Sequence, residues 1–192
     1  MENISTKYNR HSLRLTNYDY SNKGLYFITI CVENCVSLFG EVFDGELKLN
    51  LFGEIAKEEW LRTDQIRDNV QLHEFIIMPN HIHGIIKILF SKDEKKSQEL
   101  NQIKSPSQSI GAIIRGYKGA TTKKIRELIN NKVNVGLLKN DTDIVNTMDW
   151  SKSIWQRSFH DHIIRNKKDY CRIAEYIENN PFLWVYDKYY NG

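Results

Sequence analysis

Two β-like runs, Leu72 to Ile77 and Ile85 to Leu89, flank the segment Met78-Pro79-Asn80-His81-Ile82-His83-Gly84. Pro79-Asn80 is a turn signal, so the stretch reads as two successive strands, Leu72 to Met78 and His81 to Leu89. Strand side chains alternate between faces. His81 and His83 therefore share one face, and Ile82 points the other way, toward a core. Two neutral imidazoles on one face can chelate a single metal ion. The same pair is also what two surface or hydrogen-bonded histidines look like, because short motifs match by chance.

The rest of the chain surrounds these strands with a recognisable order. Leu25 to Val32 is β-branched and aromatic and predicts a buried strand. Phe39 to Asn50 predicts a hairpin around the turn dipeptide Asp44-Gly45. Apolar residues at Leu51, Ile55, Trp60 and Leu61 predict a helix over Leu51 to Arg62. Ile110, Ile113, Ile114, Tyr117, Ile125 and Leu128 mark a long amphipathic helix with a basic outer side. Ile154 to Arg165 reads as a strand, and Asn166 to Asn180 as a helix stopped by Pro181. The tail Phe182 to Tyr190 is expected to pack back on the body.

Strand–helix–strand–strand–helix–strand is the ferredoxin-like plan. The expected class is α+β: a ferredoxin-like (RRM-like) antiparallel sheet with helices on one face and the other face free. To this are added an N-terminal hairpin insertion and a C-terminal helix carrying Tyr176. A free sheet face of this type often meets single-stranded nucleic acid. One domain is expected over residues 1–192, with a basic N-terminal arm (1–20) and two flexible loops (91–109 and 131–153).

Composition narrows the class. Hydrophobic residues make up 41% and charged residues 27%, ordinary for a soluble globular chain. No apolar run approaches the ~20 residues of a membrane span. The first residues lack the apolar stretch of a signal peptide. Cys31, Cys35 and Cys171 have neither metal-type nor redox spacing and read as reduced thiols, so a cytoplasmic setting is expected. The net charge is only +3, but cations cluster. Lys104 to Asn130 holds six basic residues against Glu127 alone, and Ser151 to Glu175 holds six against Asp161, Asp169 and Glu175. Such a sector suits a polyanion such as nucleic acid, although a solvated helix face gives the same pattern.

Arg172, Tyr176 and Asn180 follow at steps of four and line one face of the last helix. A positioned tyrosine hydroxyl can be a covalent nucleophile. Attack on a phosphodiester needs a Lewis acid, which a metal on His81 and His83 would supply, and Asn180 offers an amide oxygen as a third ligand. Tyr176 also fits a half-buried helix tyrosine, and Asn180 a helix cap before proline. Tyr20, Tyr117 and Tyr170 are rival nucleophiles. Tyr117 falls on the apolar stripe and Tyr170 lacks an asparagine one turn on, so both read as packing. His160-Asp161-His162 is a second His-x-His pair. It admits a four-histidine, zinc-like site with His81 and His83, or a structural or DNA-contacting His162 beside an incidental His160.

Several motifs in order resemble one family. They are Tyr18-Asp19-Tyr20 with Tyr26-Phe27-Ile28-Thr29-Ile30, then Met78-Pro79-Asn80-His81-Ile82-His83, then Ile110-Gly111-Ala112-Ile113-Ile114-Arg115-Gly116-Tyr117-Lys118. Trp155-Gln156-Arg157, His162-Ile163-Ile164-Arg165 and Tyr176-Ile177-Glu178-Asn179-Asn180-Pro181 complete the set, across about residues 8 to 187. The chain resembles the single-tyrosine, insertion-sequence-200-like transposases of the His-hydrophobic-His superfamily, and most closely their REP-associated branch. The resemblance implies that His81, His83 and Asn180 bind Mg²⁺ or Mn²⁺. It implies that Tyr176 attacks single-stranded or hairpin DNA, leaving a 5′-phosphotyrosine link and a free 3′-hydroxyl. DNA contact is assigned to Arg10, Arg14, Arg115, Lys118, Lys123, Arg157, His162, Arg165 and Arg172. Relatives are monomers or helix-exchanged homodimers. The competing reading is a non-catalytic single-stranded nucleic-acid module on the same sheet.

Overall fold

The structure is a computed structural model that describes residues 18–90, 108–130 and 148–190. Most of the expected arm and of the two expected loops lies outside the described residues, as do Arg10 and Arg14. Among the described residues, six strands and three α-helices appear in the order β1 (Gly24–Cys31), β2 (Gly40–Phe43), β3 (Glu46–Leu49), α1 (Leu51–Gln65), β4 (Val70–Ile77), β5 (His81–Ile88), α2 (Ile110–Asn130), β6 (His160–Ile164) and α3 (Lys167–Asn179). The main sheet runs β4-β5-β1-β6 with every neighbouring pair antiparallel. This is the ferredoxin-like order, with β2 and β3 forming the separate hairpin. Asp44 and Gly45 both have positive φ, 51° and 77°, as a two-residue hairpin turn requires.

Alternation along β1 and β5 sorts the residues into two layers. Tyr26, Ile28, Ile30, Ile82, Ile86 and Ile88 face α1 and α2 and meet Phe52, Trp60, Ile113 and Ile125 in the principal core. Asn50 caps α1 by accepting from the Gly53 N–H at 2.9 Å. Tyr117 ties α2 to α1 by donating its hydroxyl to the Ala56 carbonyl at 3.0 Å. Gly84 is required where it stands, because a Cβ there would fall inside the Trp60 indole.

Two expectations change. The sheet's other face is not left open: α3 crosses β4 and β5 there, burying Ile173 and Ile177 against Ile85 and Ile164. The expected strand from Ile154 shrinks to β6. Residues before it make one isolated bridge, Val32 with Trp155. Two of their carbonyls are taken by a side chain, since Lys118 Nζ donates to Gln156 O at 2.8 Å and Ser158 O at 2.9 Å. Cys31, Cys35 and Cys171 form no disulfide.

Candidate active site

Strand register positions the histidine motif. His81 lies opposite Cys31 and His83 opposite Thr29 on β1. Both imidazoles therefore rise from the middle of the sheet on the α3 side, with Ile82 fully buried behind them. The rings are 4.4 Å apart between centroids, and both are buried.

Each imidazole is oriented through Nδ1. Asn80 Nδ2 donates to the carbonyls of Cys35 (3.0 Å) and Tyr189 (2.7 Å), which turns Asn80 Oδ1 toward His81 Nδ1 at 2.9 Å. An amide oxygen only accepts, so Nδ1 of His81 carries the proton and Nε2 the lone pair. That Nε2 is buried with no hydrogen-bond partner. His83 Nδ1 is 2.9 Å from Thr29 Oγ1. A hydroxyl both gives and takes, so Thr29 serves either tautomer of His83. Burial holds the His81 imidazole down at about 4, against the opposing pull of the Asp187 carboxylate. Burial and the neighbouring His81 hold His83 well below its ordinary value as well. Both rings are thus neutral at neutral pH, the state in which imidazole binds metals.

The last helix brings the phenol from the other side. Ile173 and Ile177 anchor α3 on the sheet, and the Tyr176 hydroxyl reaches His83 Nε2 at 3.1 Å. The same hydroxyl donates to Asp187 Oδ2 at 3.0 Å. Asn180, one turn on and buried, donates Nδ2 to that oxygen at 2.9 Å, while its Oδ1 has no hydrogen-bond partner. Burial first, and the adjacent Asp187 charge second, push the Tyr176 phenol far above its ordinary value. It rests as the neutral phenol.

Asp187 is the site residue that sequence reading missed. It follows a short 3-10 turn, Trp184–Tyr186, in the aromatic tail, and its Oδ1 accepts the Tyr189 N–H at 2.8 Å. No periodicity runs through this tail, so nothing in the sequence marked it. One potential ligand atom from each of His81, His83 and Asp187 lies within 4.8 Å of the others. Two imidazole nitrogens, a carboxylate and an amide oxygen form a donor set that fits a divalent ion. The buried, unpartnered His81 Nε2 and Asn180 Oδ1 are acceptors that such an ion would satisfy.

The second histidine pair does not join this group. His160 and His162 lie opposite Thr29 and Phe27 on the far side of β1, on the same face as His81 and His83. β1 intervenes, and two strand spacings amount to about 9.5 Å. Among the described residues, His81, His83 and Asp187 form the only cluster of three or more such ligands, so the four-histidine arrangement is not formed. His162 Nε2 instead meets Asp169 Oδ2 at 2.7 Å.

The cations assigned to DNA contact are dispersed. Lys118, Lys123 and Arg157 line an open groove of about 520 Å³ with Arg126 and Trp155, between α2 and the segment before β6. Burial lowers the Lys118 ammonium to about 8. Arg115 is exposed elsewhere on α2. Arg165 lines a separate cavity at the start of α3. Arg172 is exposed and pairs with Asp169 at 2.7 Å, so it does not reach the Tyr176 site. Tyr170 donates to Glu74 at 2.6 Å and Tyr117 is buried between helices, as packing roles predict.

No protein-family profile matches the chain. An uncharacterized protein of Haemophilus influenzae is 37% identical over 199 residues, spanning 97% of this chain and 99% of that one. The chain belongs to the family of that Haemophilus protein. Among solved structures, a REP-associated tyrosine transposase bound to a REP hairpin matches with a TM-score of 0.55 at 19% identity, covering 91% of this chain and 76% of that one. The two share a fold, in agreement with the resemblance carried by the motifs. A Deinococcus radiodurans protein named as a transposase candidate covers 86% of this chain at 14% identity, and its TM-score of 0.42 is too low to carry an argument. No helix among the described residues is long and apolar enough to cross a membrane.

Proposed function

We propose that this chain is a metal-dependent endonuclease and strand transferase for single-stranded DNA, acting in the cytoplasm as a single domain with Tyr176 as nucleophile. The observation that carries this reading is the 3.1 Å contact between the Tyr176 hydroxyl and His83 Nε2, beside a buried acceptor on His81 that no protein group satisfies. A Mg²⁺ or Mn²⁺ ion, held by His81 and His83 with an oxygen of Asp187 or Asn180, would supply Lewis-acid polarisation of the scissile phosphoryl oxygen. Thr29 accepts a hydrogen bond from Nδ1–H of His83 when Nε2 is needed as a lone pair. Tyr176 Oη forms a bond to phosphorus and its proton passes to Asp187. The departing 3′-oxygen takes up a proton and becomes a free hydroxyl. Attack of a 3′-hydroxyl on the phosphotyrosine reverses these bond changes and joins strands.

The Tyr176 hydroxyl meets the His83 of its own chain, which supports a site assembled within one copy. The basic groove at Lys118, Lys123, Arg126 and Arg157 supports a nucleic-acid substrate. The REP hairpin held by the structural neighbour supports hairpin repeat DNA in particular. The test is Tyr176→Phe, incubated with pools of hairpin-containing single-stranded DNA and Mn²⁺. Wild type forms a covalent protein–DNA adduct; the variant forms none and keeps its affinity within roughly twofold. An adduct that survives the substitution excludes Tyr176. No adduct from wild type, with binding indifferent to chelator, is the result expected of a non-catalytic module.

A further inference from the structure

The sheet face that carries the histidine pair continues past it. Leu25 and Phe27 point to the same side of β1 as Thr29, and their registers place them opposite Ile164 and His162. Phe27 borders the site, its ring 5.2 Å from that of His83 and 6.2 Å from that of Tyr176. Leu25 lies about 13 Å from Thr29 along the strand. There it opens into a cavity of about 540 Å³ lined also by Ile164, Tyr170, His73, Arg165, Asn166 and Lys167.

The cavity's chemistry is divided. Leu25 and Ile164 form an apolar floor. Tyr170 stands in the first turns of α3 as a wall whose orientation is fixed at both ends of its hydroxyl, which donates to Glu74 Oε2 at 2.6 Å and lies 3.0 Å from His73 Nδ1. Arg165 and Lys167 are exposed, and neither has an ion-pair partner among the described residues. The helix connects this cavity to the nucleophile, because Tyr170 and Tyr176 are separated by about 9 Å along α3. None of the cavity residues takes part in the histidine site.

An apolar floor, an immobilised aromatic wall and cations without an ion-pair partner among the described residues are the elements with which proteins hold an unstacked base and its phosphates. We propose that this cavity binds a nucleobase of a nucleotide flanking the one that is cut, with the strand's phosphates on Arg165 and Lys167. The inference rests on Tyr176 being the strand-cutting residue. An acidic peptide would use the cations but gain little from the floor, and the test separates the two.

Binding is measured in chelator with Tyr176→Phe protein, so that no cleavage intervenes. The probes are a short oligodeoxyadenylate and an abasic strand of equal length and charge. The parent protein is expected to prefer the base-bearing strand by roughly tenfold. Tyr170→Leu is expected to remove most of that preference while leaving affinity for the abasic strand unchanged. Arg165→Ala, a surface change, is expected to weaken both strands alike and to lower the salt dependence. Equal affinity of the parent for both strands overturns the proposal, as does an undiminished preference in Tyr170→Leu. The adduct assay reports separately on Tyr176, so a failure of the cavity and a failure of the nucleophile give different results.

Discussion

The chain presents the same two-residue spacing of histidines twice, once on each side of β1 and on the same face of the sheet. His81 and His83 stand on an interior strand under α3 and the tail, where burial strips their water and each Nδ1 is held by a neighbour. His160 and His162 stand on the edge strand β6, exposed, and His162 spends its Nε2 on Asp169. Alternation sets the direction of both pairs, but only the covering layer buries one pair, holds each Nδ1 and leaves the His81 Nε2 without a hydrogen-bond partner. A motif is thus only half of a site, and the elements packed over it supply the rest.

Three measurements sharpen or break this contrast. The largest effect is expected in catalysis. His81→Ala should reduce Mn²⁺-dependent adduct formation by more than about 100-fold, beyond what loss of a supporting residue costs. His162→Ala should leave it within roughly threefold. Comparable losses from the two would erase the distinction.

Acid stability comes next. The folded-state value of His81 is depressed from 6.5 to about 4, so the unfolded chain binds the extra proton first as pH falls. The stabilisation is complete above 6.5 and is lost between there and about 4, on the order of 3 kcal/mol from this residue alone. Metal-free urea midpoints at pH 7.5 and 4.5 should show the drop, undiminished in His162→Ala. A flat profile would mean that His81 is not buried as described. The smallest effect belongs to the edge pair: His162→Ala should leave the urea midpoint at pH 7.5 unchanged, since exposed ion pairs contribute little.

Much of this architecture was legible beforehand, and for identifiable reasons. Period two in His81-Ile82-His83 and period four from Tyr176 to Asn180 are local properties that survive folding. The Asp44-Gly45 hairpin and the start of the last helix near Asn166 are local as well. What sequence could not supply depends on distant partners. Asp187 acquires its place only when the tail folds back across His81 and His83. The strand expected from Ile154 is cut short where Lys118, far away in the chain, takes up the carbonyls of Gln156 and Ser158. Arg172 keeps the helical phase of Tyr176 yet turns to Asp169, a choice that spacing alone does not reveal.

Gly84 carries a last consequence. The indole of Trp60 occupies the volume where that residue's side chain would stand, immediately after His83 on β5. A peg seated in a socket of this kind prevents the helical layer from sliding along the sheet. Changes at position 60, across the sheet from the imidazoles, should therefore alter metal affinity before they cost the protein its fold.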